Sequence, residues 1–492
     1  MASTASAAPA ARAARPGGVI ATLALAGIVA SIMQTLVMPL LTELPDILHT
    51  SASNATWVVT ITLLGGAVFG PVGGRLGDLY GKRRMLLVCC VPLVLGSALC
   101  AVSSSLVPML AGRGLQGIGM GVIPLGISLL RDVIAPERLS GAIALVSASL
   151  GIGAALGLPI AAAVVQYSSW RVLFWGAAAL ALAVALMIWF LVPGAPSHAA
   201  GQRFDVVGAV GLGAGVLCLL LAVSKGADWG WGSGTTLGLF LAAAVLVLAW
   251  VRWELRTRDP LVDLRTTAAP RVLLTNAASI LVGFGMYAQS LISPQILQLP
   301  EATGYGLGRS MLAMGLWLAP AGLMMMLISP LGGRLTNARG PKFTLVLGSL
   351  VITAGYALAQ LLIGSAWGLM VVGLVISTGV GFAYGAMPAL IMGSVPLSET
   401  GSANSFNTLM RSLGTSSAAA VIGVVLAQMT NRLGPVSVPS ENGFRVGLLI
   451  GGIAALAAAA VAALIPAARP AKDAATTEDI GADAAGARTA TA

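Results

Sequence analysis

Gly74-Arg75-Leu76-Gly77-Asp78-Leu79-Tyr80-Gly81-Lys82-Arg83-Arg84 is echoed 259 positions later by Gly333-Arg334-Leu335-Thr336-Asn337-Ala338-Arg339-Gly340-Pro341-Lys342. The Gly-Arg-Leu opening, the polar fifth position and the glycine at the eighth all recur. A second pair, Pro136-Glu137-Arg138-Leu139-Ser140-Gly141 and Pro396-Leu397-Ser398-Glu399-Thr400-Gly401, is separated by 260 positions. Two different motifs at a shared offset imply two homologous halves in parallel orientation. The first copy connects two apolar runs of roughly 20 residues, each long enough to cross a bilayer.

Extending that reading along the chain gives spans near 17–41, 55–74, 85–104, 106–130, 139–166, 170–192, 205–224, 235–251, 271–298, 310–332, 343–364, 366–392, 402–428 and 445–466. The repeat pairs spans one to six with spans nine to fourteen, which leaves seven and eight as an insertion. The expected organisation is an N-terminal tail (1–16), a six-helix bundle (17–193), two inserted spans with their linkers (194–270), a second six-helix bundle (271–466) and a disordered polar tail (467–492). Gly17–Leu41 is too long for a signal-peptide core and reads as a retained first span.

Composition agrees. The 492 residues are 57% hydrophobic and 9% charged, against about 25% charged in soluble domains. Glycine is abundant, as suits helices that pack closely in lipid. The net charge of +10 could suggest nucleic acid, but its distribution argues otherwise. With the N-terminus in the cytoplasm, the outside holds only Arg171, Lys225, Arg309, Arg432 and Arg445. Arg113 and Arg411 fall within spans, and every other basic residue lies inside. This is the positive-inside pattern, with both termini cytoplasmic. The four cysteines sit in apolar runs and read as small hydrophobes. Two histidines offer no metal site, and no Gly-x-x-x-x-Gly-Lys-Ser/Thr loop is present for ATP. No cofactor, metal or catalytic nucleophile is expected, so the chain is not read as an enzyme.

Gly74, Asp78, Gly81, Lys82 and Arg83 resemble the signature loop between the second and third spans of the major facilitator superfamily. Arg113-Gly114-Leu115-Gln116-Gly117 resembles that superfamily's fourth-span motif. Gly153-Ala154-Ala155-Leu156-Gly157-Leu158-Pro159 is similar to its fifth-span antiporter motif, with the proline shifted by one and Ala161-Ala162 in place of paired glycines. Ser169-Trp170-Arg171-Val172-Leu173-Phe174 and the two extra spans resemble the fourteen-span drug:proton antiporter family. The resemblance covers residues 17–466. It implies an all-α integral membrane fold of two six-helix bundles plus two inserted helices, in a bacterial plasma membrane. It also implies that Asp78, Lys82 and Asp132 form a cytoplasmic charge cluster that holds the outward-open state. Arg113 would assist proton movement or brace its helix, with Gln116 and Gly117 beside it.

One family feature is missing. An Asp is common in the first span, yet Gln34-Thr35-Leu36-Val37-Met38-Pro39 carries no acid. Proton coupling would then fall to Glu43 or Asp46 near the outer end, to Asp78, or indirectly to Arg113. Elsewhere, Asn404, Asn407 and Arg411 share one helix face. With Gln34, Thr35, Asn276, Tyr287 and Gln289 they would line a weakly polar cavity; interhelical hydrogen bonding is the plainer alternative. The expected activity is proton-coupled efflux of drugs, antibiotics or lipophilic secondary metabolites by a monomer, with a small-molecule substrate, protons and the lipid bilayer as partners and no nucleic acid. The alternatives are a transporter of one specific metabolite, in either direction, and a non-transporting membrane sensor.

Overall fold

The structure, a computed structural model, describes residues 16–40, 43–194, 196–197, 199, 201–433 and 436–466. The remaining residues, including the tail expected to be disordered, lie outside the described residues. Fourteen helices among those described are long and apolar enough to cross a membrane. In chain order, the first to fourteenth spans are Pro16–Leu40, Trp57–Tyr80, Lys82–Val102, Leu106–Val133, Pro136–Tyr167, Arg171–Leu191, Val206–Trp229, Gly234–Glu254, Pro270–Gln298, Met311–Arg339, Pro341–Leu362, Ala366–Met392, Leu397–Gln428 and Glu441–Ala463.

Two apolar cores divide them. One runs through Leu23, Met33, Leu86, Leu93, Leu125, Ile143 and Phe174, the other through Ile292, Leu345, Tyr356, Leu390, Ile422 and Phe444. A third cluster joins Leu64 and Ala67 of the second span, Leu212 and Val216 of the seventh, Trp250 of the eighth and Phe406 of the thirteenth. The inserted pair therefore packs where the second and thirteenth spans meet. Large apolar side chains such as Leu186, Phe190, Leu241, Leu248 and Leu361 point outward. Exposed apolar surface on that scale needs lipid rather than water around it.

The second span ends at Tyr80 and the tenth at Arg339, well past the 74 and 332 expected from the sequence. The expected ends stop at the first charges, whereas the helices run on to Asp78 and Asn337, which bond the facing bundle. Both helices stop at a glycine in the positive-φ region, Gly81 (φ 97°) and Gly340 (φ 85°). That backbone favours glycine at a helix end, which explains the recurrent eighth position. The fourth span is interrupted between Leu106–Gly119 and Val122–Val133. One element is not helical: an antiparallel hairpin of β1 (Thr430–Leu433) and β2 (Val436–Pro439), with Asn431 opposite Val438. It links the last two spans on the face away from the Gly-Arg-Leu loops. Those loops carry Arg75, Lys82, Arg83, Arg84, Arg334, Arg339 and Lys342, so theirs is called the basic face.

Candidate functional site: an interbundle latch

At the basic face the second span meets the start of the thirteenth. A turn of 3-10 helix, Leu397–Glu399, precedes the helix that begins at Thr400. The first amides of an α-helix have no partner within it. Asp78 supplies one: Oδ1 accepts from Gly401 N at 2.9 Å and Oδ2 from Ser402 N at 2.8 Å. A carboxylate at a helix N-terminus also meets the positive end of its dipole. Gly74, one turn earlier, allows the approach, since a Cβ there would overlap the Gly401 carbonyl and Ser405 Oγ. Gly77 likewise leaves room for Leu125 of the fourth span.

Lys82 completes the latch. Its Nζ donates to Asp132 Oδ2 at 2.8 Å and to Thr400 Oγ1 at 2.7 Å, and lies 4.0 Å from Asp78 Oδ1. Asp78 is 3% exposed and Lys82 4%. Charges at such depth persist only when paired and hydrogen-bonded. Arg131 Nη1 adds a bond to the Val395 carbonyl at 3.0 Å, and Asn404 Nδ2 donates to the Pro124 carbonyl at 2.8 Å. Arg83 stands apart, since its guanidinium donates to the Trp189 carbonyl of the sixth span at 2.5 Å. Thr400, Gly401 and Ser402 are site residues that the sequence does not mark as such, although the Pro136/Pro396 repeat contains the first two.

The second copy of the loop is built differently. Asn337 Nδ2 donates to the Glu137 carbonyl at 3.3 Å, and the Gly141 Cα lies 2.7 Å from where a Cβ on Gly333 would stand. The fifth helix starts at Pro136, so the amides near Gly141 are already inside a helix. Asn337 meets a carbonyl there, and an amide side chain can donate to it where a carboxylate cannot. Among the described residues, every hydrogen bond between spans one to six and spans nine to fourteen lies in the half toward the basic face.

Arg113 is 1% exposed. It donates from Nε to the Val58 carbonyl (3.0 Å) and from Nη1 to the Met33 carbonyl (2.7 Å) and Gln116 Oε1 (2.6 Å). Gln116 Nε2 then donates to Ser97 Oγ at 2.7 Å. Arg113 and Gln116 together thus tie the first four spans without a carboxylate. It stands seven residues into its span, about 10 Å from that end, in the half remote from the basic face. Gly117 lets this span lie against the second, where a Cβ would come within 3.0 Å of the Gly65 Cα.

The fifth span has two close faces. Gly153 and Gly157 face the first span, with Ile28, Ser31 and Thr35 in the space a Cβ would take. Gly151 and Pro159 face the tenth, against Gly322 and Gly315. Gly157→Val should therefore disrupt the bundle, because overpacking costs about 1–3 kcal/mol. A fall of about tenfold in monodisperse protein on size-exclusion chromatography is the expected result.

Of the residues expected to line a cavity, the asparagines make interhelical bonds. Asn407 Nδ2 donates to Asn276 Oδ1 at 2.8 Å and to Ser279 Oγ at 2.7 Å. The Arg411 guanidinium lies 4.4 Å above the Tyr384 ring. Gln34 Nε2 approaches Met120 Sδ at 3.6 Å, and Thr35 Oγ1 bonds the Ile32 carbonyl at 3.2 Å. Gln289 is buried beside Gly373, and Tyr287 is half-buried. A cavity of 480 Å³ lies elsewhere, lined by Leu291, Gln295, Ala419, Gly423, Leu426 and the hairpin. Glu43 and Asp46 are exposed, on and beside the short helix Leu44–Ile47. On that same face Lys225 Nζ bonds Thr56 Oγ1 at 2.7 Å and Asp228 Oδ2 at 2.9 Å, and so fixes the seventh span to the second.

Residues 23–419 match the family described as the Major Facilitator Superfamily. The Tetracenomycin C resistance and export protein of Streptomyces glaucescens is 29% identical over 405 residues, 81% of this chain and 74% of that protein. An uncharacterized MFS-type transporter of Mycobacterium tuberculosis (strain ATCC 25618 / H37Rv) is 28% identical over 418 residues; the match spans 82% of this chain but only 58% of that protein's length. The crystal structure of the human organic anion transporter MFSD10 superposes with a TM-score of 0.64 at 16% identity, covering 91% of this chain and 99% of that one. That likeness speaks for the fold alone.

Proposed function

From the premise that this chain belongs to the Major Facilitator Superfamily and is a multi-pass membrane transporter, we propose that it exports lipophilic antibiotic-like molecules by proton-driven alternating access. The observation that carries this reading is the latch. Hydrogen bonds between the bundles are confined to the half toward the basic face. If that face is cytoplasmic, as the distribution of Arg and Lys argues, the structure is closed toward the cytoplasm. Opening requires Asp78 to leave the thirteenth helix, which exposes two amides, a lysine and two carboxylates to water together. Such a contact is either made or broken, as a two-state gate requires. A relative named for tetracenomycin C resistance and export supports an antibiotic-like cargo.

The test is a susceptibility and dye-efflux panel in a host stripped of its own pumps, with and without a protonophore. The expected result is efflux that the protonophore abolishes. Efflux indifferent to it would overturn proton coupling and leave export standing; no efflux of any compound would overturn export. Glu43→Gln should leave pH-gradient-driven transport unchanged within about twofold. Glu43 is exposed just before the short helix Leu44–Ile47 and takes no part in the latch. A collapse of transport in that variant would restore Glu43 as the proton carrier.

A further inference from the structure

The inserted pair of spans brings together two carboxylates that the latch does not use. Asp205 stands just before the seventh span and Glu254 ends the eighth, so the pair returns both to the basic face. They are 8% and 3% exposed. Asp205 Oδ1 caps its helix by accepting from Gly208 N at 2.8 Å, and both its oxygens accept from Trp253 Nε1, at 3.1 and 3.0 Å. Glu254 Oε2 accepts from Leu261 N at 3.1 Å. Its other oxygen, Oε1, is buried with no hydrogen-bond partner.

Gly208 shows where that oxygen points. The space a Cβ would fill there is bordered by Asp205 Oδ2 and, at 2.7 Å, by Glu254 Oε1. The two oxygens are thus separated by no more than about 5 Å, a range at which the Asp205 charge opposes a second charge on Glu254. No cation offsets them: neither forms an ion pair among the described residues. Arg252 and Arg256, on the same element as Glu254, are exposed. The second and thirteenth spans present Leu64, Ala67, Phe406 and Leu409 to this cluster. Their charged residues are engaged elsewhere: Arg75 with Gln202, Asp78 with Gly401 and Ser402, Glu399 beside Asp263. In the connector, Asp259 accepts from Arg203 N and Asp263 from Arg265 N. Trp250 Nε1 is turned toward Glu254 but completes no hydrogen bond of good geometry.

We propose that Asp205 and Glu254 hold one proton between them and that this proton seats the inserted pair against the second and thirteenth spans. With the proton bound, Glu254 Oε1 carries a hydrogen that it can direct at the Asp205 carboxylate, and the site bears one negative charge. When the proton leaves to water, two charges face each other across Gly208 in an apolar setting. The strain falls on the packing beside them, where Trp250 stacks on Phe406 with ring centroids 6.5 Å apart and an interplanar angle of 24°. Deprotonation would thereby loosen a brace across the two spans that form the latch; only this coupling step rests on the export reading.

The experiment is infrared spectroscopy of the full-length protein in lipid nanodiscs, titrated across neutral pH in light and heavy water. Subtracting the Glu254→Gln spectrum from the wild-type spectrum should leave a protonated-carboxyl band at neutral pH. In Asp205→Asn, which keeps a helix-capping oxygen, the remaining acid should ionise at least about one pH unit lower, because its charged neighbour is gone. No such band in the difference spectrum, or an unchanged midpoint in Asp205→Asn, would overturn the proposal. The measurement needs no transport, so a pump that proves independent of protons leaves the proton site standing. Failure of the infrared test leaves export standing.

Discussion

Asp78→Asn is expected to abolish most export while leaving the yield of folded protein unchanged. The carboxylate accepts from two backbone amides at the start of the thirteenth helix and lies beside Lys82. Asn keeps one acceptor oxygen and turns an NH2 group toward the other amide, donor against donor. Hydrogen bonds to a charged group contribute about 1.5–3 kcal/mol each. Loss of one such contribution from the closed state shifts the closed-to-open ratio by about tenfold to a hundredfold. Spin labels at Tyr80→Cys and Leu397→Cys, both exposed in the native chain and flanking the latch, would read this in a background without the native cysteines. The wild type should give one short-distance population and Asp78→Asn a second, longer one. An unchanged distance distribution together with normal export would remove the latch from the mechanism.

The repeat contains its own control. Asn337→Asp would match the second loop more closely to the first, yet it should weaken that contact rather than strengthen it. A carboxylate there would face the Glu137 carbonyl, acceptor against acceptor, where the Asn337 amide now donates a hydrogen bond. The same labelling strategy across the fifth and tenth spans, and export itself, should show a loss. A gain in closure would mean that the different helix starts at Pro136 and Thr400 do not decide which residue fits.

These asymmetries mark the limit of what a sequence can show. Spans, repeat and charge distribution are legible because each rests on composition along the chain, which local physics sets. The two glycines at the eighth position are legible too, since positive φ leaves a residue-type signature. The partners of Asp78 are not. Gly401 and Ser402 contribute backbone amides, and a backbone donor carries no side-chain signal. The Met33 and Val58 carbonyls bound by Arg113 are hidden for the same reason. Spacing puts Asn404 and Asn407 on one face, but it cannot say whether that face meets a cavity or another helix. The third kind of omission is the Asp205–Glu254 pair. Its members lie 49 positions apart on residues that read as a helix start and a helix end, and only the return of the inserted hairpin makes them neighbours.

Arg113→Ala should cost more stability than Asp78→Asn, Asn337→Asp or Gly157→Val. It would leave the Met33 and Val58 carbonyls and Gln116 Oε1 without the donor they share. The Val58 carbonyl keeps the bond from Thr62 Oγ1 at 3.4 Å, whereas each buried polar group left unpaired costs about 1–3 kcal/mol, so the combined loss is a few kcal/mol. A fall in the melting temperature of purified protein of about 2–5 °C follows if unfolding entropy is ordinary for a large chain. Arg113→Lys should fall between, since one ammonium group cannot reproduce a planar fork that reaches two helices at once. The pair of variants also separates bracing from a part in proton movement. If Arg113 acts as a brace, export per folded molecule in Arg113→Lys stays within about twofold of wild type while its melting temperature drops. If it handles protons, the same variant melts close to wild type and exports poorly, and the absence of any carboxylate among its partners would then have to be explained by another conformation of the first four spans.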